Sequence, residues 1–169
     1  MDALEAIMTR RSIRQFKAEP VTDEEIEVLL RAAMSAPSAS NERPWRFVVV
    51  REREGLDRLA KATLYAKPLM RAPLGIVVCA DKREAKYAGF PIIDCAAAIE
   101  NLLLAAHSIG LGGVWIGVHP VAPFVSAVRR VIGAPRHVLP HSLLAIGRPA
   151  EEKPAVDRFE TGWVHQERW

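Results

Sequence analysis

Arg10-Arg11-Ser12-Ile13-Arg14-Gln15-Phe16 places three guanidinium groups and a hydroxyl within five positions, directly after a short amphipathic stretch. Guanidinium is a planar, always-charged fork that matches phosphate and carboxylate. A basic cluster is more often a solvated surface than a site, but two features set this one apart. It interrupts an amphipathic pattern, and Ile13 and Phe16 are interleaved with the charges, which predicts a packed backbone. If the stretch is extended, side chains alternate, so Arg10, Ser12 and Arg14 are expected on one side and Arg11 on the other. The stretch reads as an anion cradle.

Outward from it, periodicity and punctuation predict the elements. Asp2 to about Thr9 reads as a helix capped by Asp2, with Leu4, Ile7 and Met8 as its stripe. Thr22-Asp23-Glu24-Glu25 is a capping box, and its helix is expected to end near Ser35, before Pro37. Residues 36–45 form a loop, and Arg46–Arg51 a strand. Leu56, Leu59, Ala60 and Thr63 mark a helix, and Leu74–Ala80 is a fully buried strand. The longest helix runs from Pro91 to about Ile109, apolar around most of its girth, which marks a central or interface helix. Gly112–Val118 is a strand, Phe124–Ile132 a helix closed by Gly133, and Ser142–Gly147 a strand. The tail from Ala150 to Trp169 has no strong periodicity. The order mixes α and β in one domain, and leaves strand direction open.

Composition narrows the classes. A chain of 169 residues, half of them hydrophobic and a quarter charged, suits a single domain with a real core. The net charge of +3 and pI near 9.1 suit an anionic ligand. No Lys/Arg tract or aromatic-basic interleaving points to nucleic acid. Cys79 and Cys95 lie in apolar runs without zinc-ligand spacing, and read as buried thiols. With an acidic, amphipathic start and no apolar run of membrane-spanning length, the expectation is a cytoplasmic protein with no membrane partner.

No G-x-G-x-x-G follows a strand, and P-loop, H-E-x-x-H and G-x-S-x-G motifs are absent. The five histidines show no ligand spacing, and His141 fits a strand as a packed ring. Four segments of suitable chemistry remain. Arg10 to Arg14 offers charge. Pro37 to Asn41 offers small side chains and free N–H groups. Gly112 to Val114 offers a backbone that a flat ligand can approach closely. Gly147-Arg148 offers a guanidinium at a strand end.

Together these segments resemble the nitroreductase family of FMN-dependent oxidoreductases. The likeness rests on residues 10–16, Ala36–Trp45, Asp94–Asn101 with Gly110-Leu111-Gly112, and Ala145–Glu151. It implies an α+β fold with a mixed, mostly antiparallel sheet flanked by helices, in an intertwined homodimer. Residues 1–169 would be one FMN-binding domain, with 150–169 an arm embracing the partner subunit. By the same resemblance Arg10, Ser12 and Arg14 bind FMN from one subunit. Pro37, Ser38, Ala39 and Asn41 approach it from the other. Gly112, Gly113 and Val114 offer backbone to the flavin edge, and Gly147 with Arg148 meets the phosphate. Arg14 would face the N1/O2 edge, and Arg11 would contact ribityl or phosphate through its backbone, or be solvated.

The implied activity passes electrons from NADH or NADPH to a nitroaromatic, quinone or similar small acceptor by a ping-pong mechanism. The flavin does the chemistry, so no catalytic side chain and no metal are expected. A non-catalytic flavin-binding or storage protein, or a specialised flavin enzyme such as a dehalogenase, is the alternative. The loop departs from the family pattern: it reads Pro-Ser-Ala, and Arg43 stands where glutamine is usual.

Overall fold

The computed structural model describes residues 1–169. Its elements are α1 (Ala3–Thr9), α2 (Asp23–Met34), β1 (Trp45–Val50), α3 (Arg53–Ala60), β2 (Leu74–Asp81), α4 (Phe90–Ser108), β3 (Gly112–Gly117), α5 (Ala122–Ile132) and β4 (Val138–Gly147). Local chemistry sets the boundaries. Asp2 accepts the Glu5 N–H at 2.8 Å. Thr22 accepts the Glu25 N–H at 3.2 Å, while the Glu25 carboxylate accepts the Thr22 N–H at 2.9 Å. Gly133 ends α5 in the left-handed region, with φ of 65°.

The four strands lie in the order β1-β2-β4-β3, and every neighbouring pair is antiparallel. The sheet is mixed only at its margin. Ser12 bridges Gly113 in parallel, and the Ile13 N–H donates to the Gly113 carbonyl at 3.0 Å. Phe16 pairs antiparallel with Pro149 just past β4. The arginine stretch therefore covers the outer edge of β3.

β4 begins at Val138, earlier than the expected Ser142. Pro140 interrupts the run in sequence, since it has no N–H for a ladder. The sheet absorbs it by a register shift between Val78 and Cys79, which face Ser142 and Pro140 and leave His141 as the extra residue.

β2 is buried along its whole length, and β4 almost so, which requires cover on both faces. α4 packs on the sheet and carries α2 on its back, while α5 packs on β4. α4 has 19 residues and a mean hydropathy of 1.3, enough by length and composition to cross a bilayer. In the fold its buried stripe is Cys95, Ala98, Ile99, Leu102 and Ala106. A core helix needs apolar side chains for the same reason as a lipid-embedded one. Cys95 donates to the Cys79 carbonyl at 3.6 Å, and burial pushes both thiols up to about 12.

His141 is a buried titratable group of β4. The Trp115 indole N–H donates to Ser142 Oγ at 2.6 Å, and Ser142 Oγ lies 2.9 Å from His141 Nδ1. The indole can only donate, so the serine proton is free to go to Nδ1, which holds the imidazole neutral. Burial, then the nearby His119, lowers its pKa from 6.5 to about 4. The unfolded chain takes up this proton between those values and the folded chain does not. Stability is therefore expected to fall as pH drops from 6.5 toward 4, by up to about 1.4 kcal/mol per pH unit. Chemical denaturation at stepped pH checks this, and in His141→Gln the contribution should vanish.

Candidate functional site

A cavity of about 670 Å³ opens where α1 ends, beside the start of β3 and the segment after β4. Such a volume lies within the range of small-molecule sites, about 300–1,000 Å³. Arg10 and Arg11 line it with Lys17 and Lys153, around a floor of Gly112 and Gly113. Glu151 and Glu152 are its acidic members. Four cations converging on one concave space form a donor set that fits a phosphate monoester.

The residues are held in place from within. Arg10 Nε donates to Glu100 of α4 at 3.1 Å, leaving its other donors free. The Arg11 guanidinium donates to the Pro154 carbonyl. Lys153 Nζ donates to the Ser12 carbonyl at 2.7 Å and meets Glu151 at 3.1 Å. Glu151 accepts the Arg14 N–H at 2.5 Å and the Gln15 N–H at 3.2 Å. The Arg14 N–H, helped by Lys153, holds its carboxyl below the usual carboxylate range. His107 borders the cavity, with Nε2 2.8 Å from Thr9 Oγ1. Burial, then the charge of Arg10, lowers its pKa.

The alternation expected of the arginine stretch does not hold. Arg11 shares the cavity with Arg10, whereas Arg14 lines a different depression with Gln15, Lys67 and Arg71. Ser12 lines neither, and its carbonyl anchors Lys153. The reason is local: Arg10 is the C-terminal cap of α1, and only single bridges tie the segment to its neighbours. No continuous strand imposes a two-residue period.

The glycines serve the interior more than a ligand. A Cβ at Gly112 would lie 2.8 Å from Ile13, and one at Gly113 would lie 2.9 Å from Leu103. Their bareness seats the arginine stretch on β3 and β3 on α4. Val114 is buried and does not line the cavity. A Cβ at Gly147 would strike Pro73 at 2.6 Å. Arg148 turns to the start of α2, pairing with Glu25 at 2.8 Å and Glu19 at 3.3 Å. It lines neither the cavity nor the Arg14 depression, and its charge is neutralised inside the chain.

Pro37, Ser38, Ala39 and Asn41 lie apart from Arg10 within one chain and line neither space. Asp94 of α4 accepts the Ala39 N–H at 3.0 Å, and Ser38 Oγ accepts the Arg43 N–H at 3.0 Å. Ser40, Asn41 and Arg43 have φ of 50°, 56° and 49°, a conformation uncommon without glycine and favoured at functional segments.

Lys153, Lys17 and His107 were not assigned to the site from sequence. Lys153 sits in the aperiodic tail and reaches Ser12 across 141 positions, a contact that no local pattern encodes.

The nitroreductase family model matches residues 7–68 and 61–148. A protein of Methanothermobacter thermautotrophicus, provisionally named NADH dehydrogenase/NAD(P)H nitroreductase, is 46% identical over 169 residues, covering 100% of this chain and 88% of that one. A crystal structure of a Parabacteroides distasonis protein with the same provisional name has a TM-score of 0.95 at 37% identity, covering 99% and 98% of the two chains. A Desulfovibrio desulfuricans protein, provisionally named a nitroreductase and solved in complex with FMN, has a TM-score of 0.86 at 30% identity, covering 100% and 98%. Fold and likeness agree over nearly the whole length, and the chain belongs to the nitroreductase family.

Proposed function

We infer that this chain is an FMN-dependent oxidoreductase that draws electrons from NAD(P)H and passes them to a small organic acceptor such as a nitroaromatic or quinone. Donor and acceptor take turns at one site in a ping-pong sequence. The observation that carries the reading is the cationic cavity of Arg10, Arg11 and Lys153 over the Gly112-Gly113 floor, in a chain of this family. When bound, FMN supplies the hydride and electron transfer.

The chain's own residues hold and polarise. Arg10, Arg11 and Lys153 take the phosphate, a part that Arg148, engaged with Glu25 and Glu19, does not share. Arg14 keeps an exposed, permanently positive guanidinium that would face the N1/O2 edge of bound FMN, where a fixed charge would stabilise developing negative charge without reorganising. Pro37, Ser38, Ala39 and Asn41 complete the site from a second copy. Exposed apolar groups support that partnership. Leu4, Ile7 and Met8 of α1 lie open, as do Phe159 and Trp163 of the tail, and Trp169 has no cover at all. Apolar side chains gathered on one chain in this way mark an interaction surface.

The test is a spectrum and a mass. Purified protein should be yellow, sediment at twice its 18.7 kDa chain mass, and oxidise NADH or NADPH with a quinone. Removing residues 156–169 should yield monomer that has lost FMN. Colourless protein overturns the cofactor, and coloured protein without turnover makes it a flavin carrier.

A further inference from the structure

A depression of about 480 Å³ lies between the arginine stretch and the turn that precedes β2. Arg14, Lys67 and Arg71 line it, and no acidic side chain does. Several other guanidinium groups meet carboxylates: Arg10 has Glu100, Arg53 has Asp57, and Arg148 has Glu25. Like charges facing one space repel, and an anion entering between them relieves that repulsion.

Arg71 is also aimed. One of its terminal nitrogens donates to the Gln15 side-chain oxygen at 2.8 Å, which orients the planar fork and leaves its remaining donors unengaged. The rest of the wall is apolar and open: Tyr65 is 70% exposed and Met70 59%. Convergent cations beside an exposed aromatic ring suit a flat apolar molecule that carries an oxyanion.

We propose that this depression is a substrate subsite for a carboxylate or phosphate carried on such a molecule, with Arg71 as the specificity-determining residue. The inference deepens the proposed function and rests on it, because Arg14 joins the depression to the cofactor. The oxyanion belongs either to the acceptor or to the donor, whose two forms differ by one phosphate.

The experiment uses FMN-loaded dimer and two matched pairs, 4-nitrobenzoate with 4-nitrotoluene and NADPH with NADH. The wild type should favour the anionic member of one pair by about tenfold or more in kcat/KM, the size of one charged hydrogen bond. Arg71→Gln should abolish that preference through KM, leave the neutral member within about twofold, and leave the FMN dissociation constant unchanged. Preference in the nitrobenzoate arm assigns the oxyanion to the acceptor, and preference in the NADPH arm to the donor. Equal use of both members in both pairs by the wild type overturns the proposal. So does an Arg71→Gln variant that loses both members alike, or one that loses FMN, since the depression would then serve the fold or the cofactor. Protein that never holds FMN or oxidises a nicotinamide fails at the first measurement, which overturns the proposed function itself.

Discussion

Arg10→Ala is expected to weaken FMN binding by about 10- to 100-fold, read as the dissociation constant from quenching of flavin fluorescence on titration. A hydrogen bond to a charged partner contributes about 1.5–3 kcal/mol, and each 1.4 kcal/mol is tenfold. Arg10 stands in the cavity wall with one nitrogen on Glu100 and its other donors free. Its loss leaves Arg11 and Lys153 to face a dianion with one fork fewer. The variant should still fold, because the Arg10–Glu100 pair is partly open to solvent, with 21% and 44% of the two side chains exposed, and exposed pairs contribute about 0–1 kcal/mol. Arg148→Ala is the informative contrast. Its guanidinium is committed to Glu25 and Glu19, so the FMN constant should stay within about twofold while α2 loosens at its start. An unchanged constant for Arg10→Ala would move the phosphate elsewhere, and a large change for Arg148→Ala would return it to the strand end.

Leu144→Ala should lower stability by about 2–5 kcal/mol. Leu144 is fully buried in β4, with Ile76 of β2 and Trp115 of β3 beside it in register. Truncation removes buried apolar area and leaves a hole at the centre of the sheet, where neighbours on both sides are held by backbone ladders and cannot collapse into it. For a domain of this size each kcal/mol shifts the melting temperature by about 2–4 °C, so calorimetry should record a fall of roughly 4–20 °C. Val28→Ala on the exposed side of α2 is the control, and its effect should stay within about 0.5 kcal/mol. A loss below about 1 kcal/mol for Leu144→Ala would mean that the sheet centre is more plastic than its burial implies.

The helices and strands were largely legible because their signals are local. The capping box at Thr22 and Glu25, the Pro91 and Gly110 that bracket α4, and the Gly133 that stops α5 act within a turn of the positions they control. β4 was read short because Pro140 interrupts a run that only its partner strand, through a bulge, makes continuous. α4 was read as a central or interface helix from its apolar girth, and its buried stripe against the sheet agrees.

Residue types and spacing were enough, by themselves, to determine the order of elements, the buried β2 and the packed strand place of His141, and to mark the arginine stretch as a candidate anion cradle. Strand direction, the pairing of Arg10 with Arg11, the diversion of Arg14, the capture of Arg148 by Glu25 and the recruitment of Lys153 were decided by the tertiary structure alone. Each depends on groups far apart in the chain, such as Arg148 with Glu25 across 123 positions. A charged side chain goes to whichever partner folding brings within a few ångströms, and its neighbours in sequence do not specify that partner.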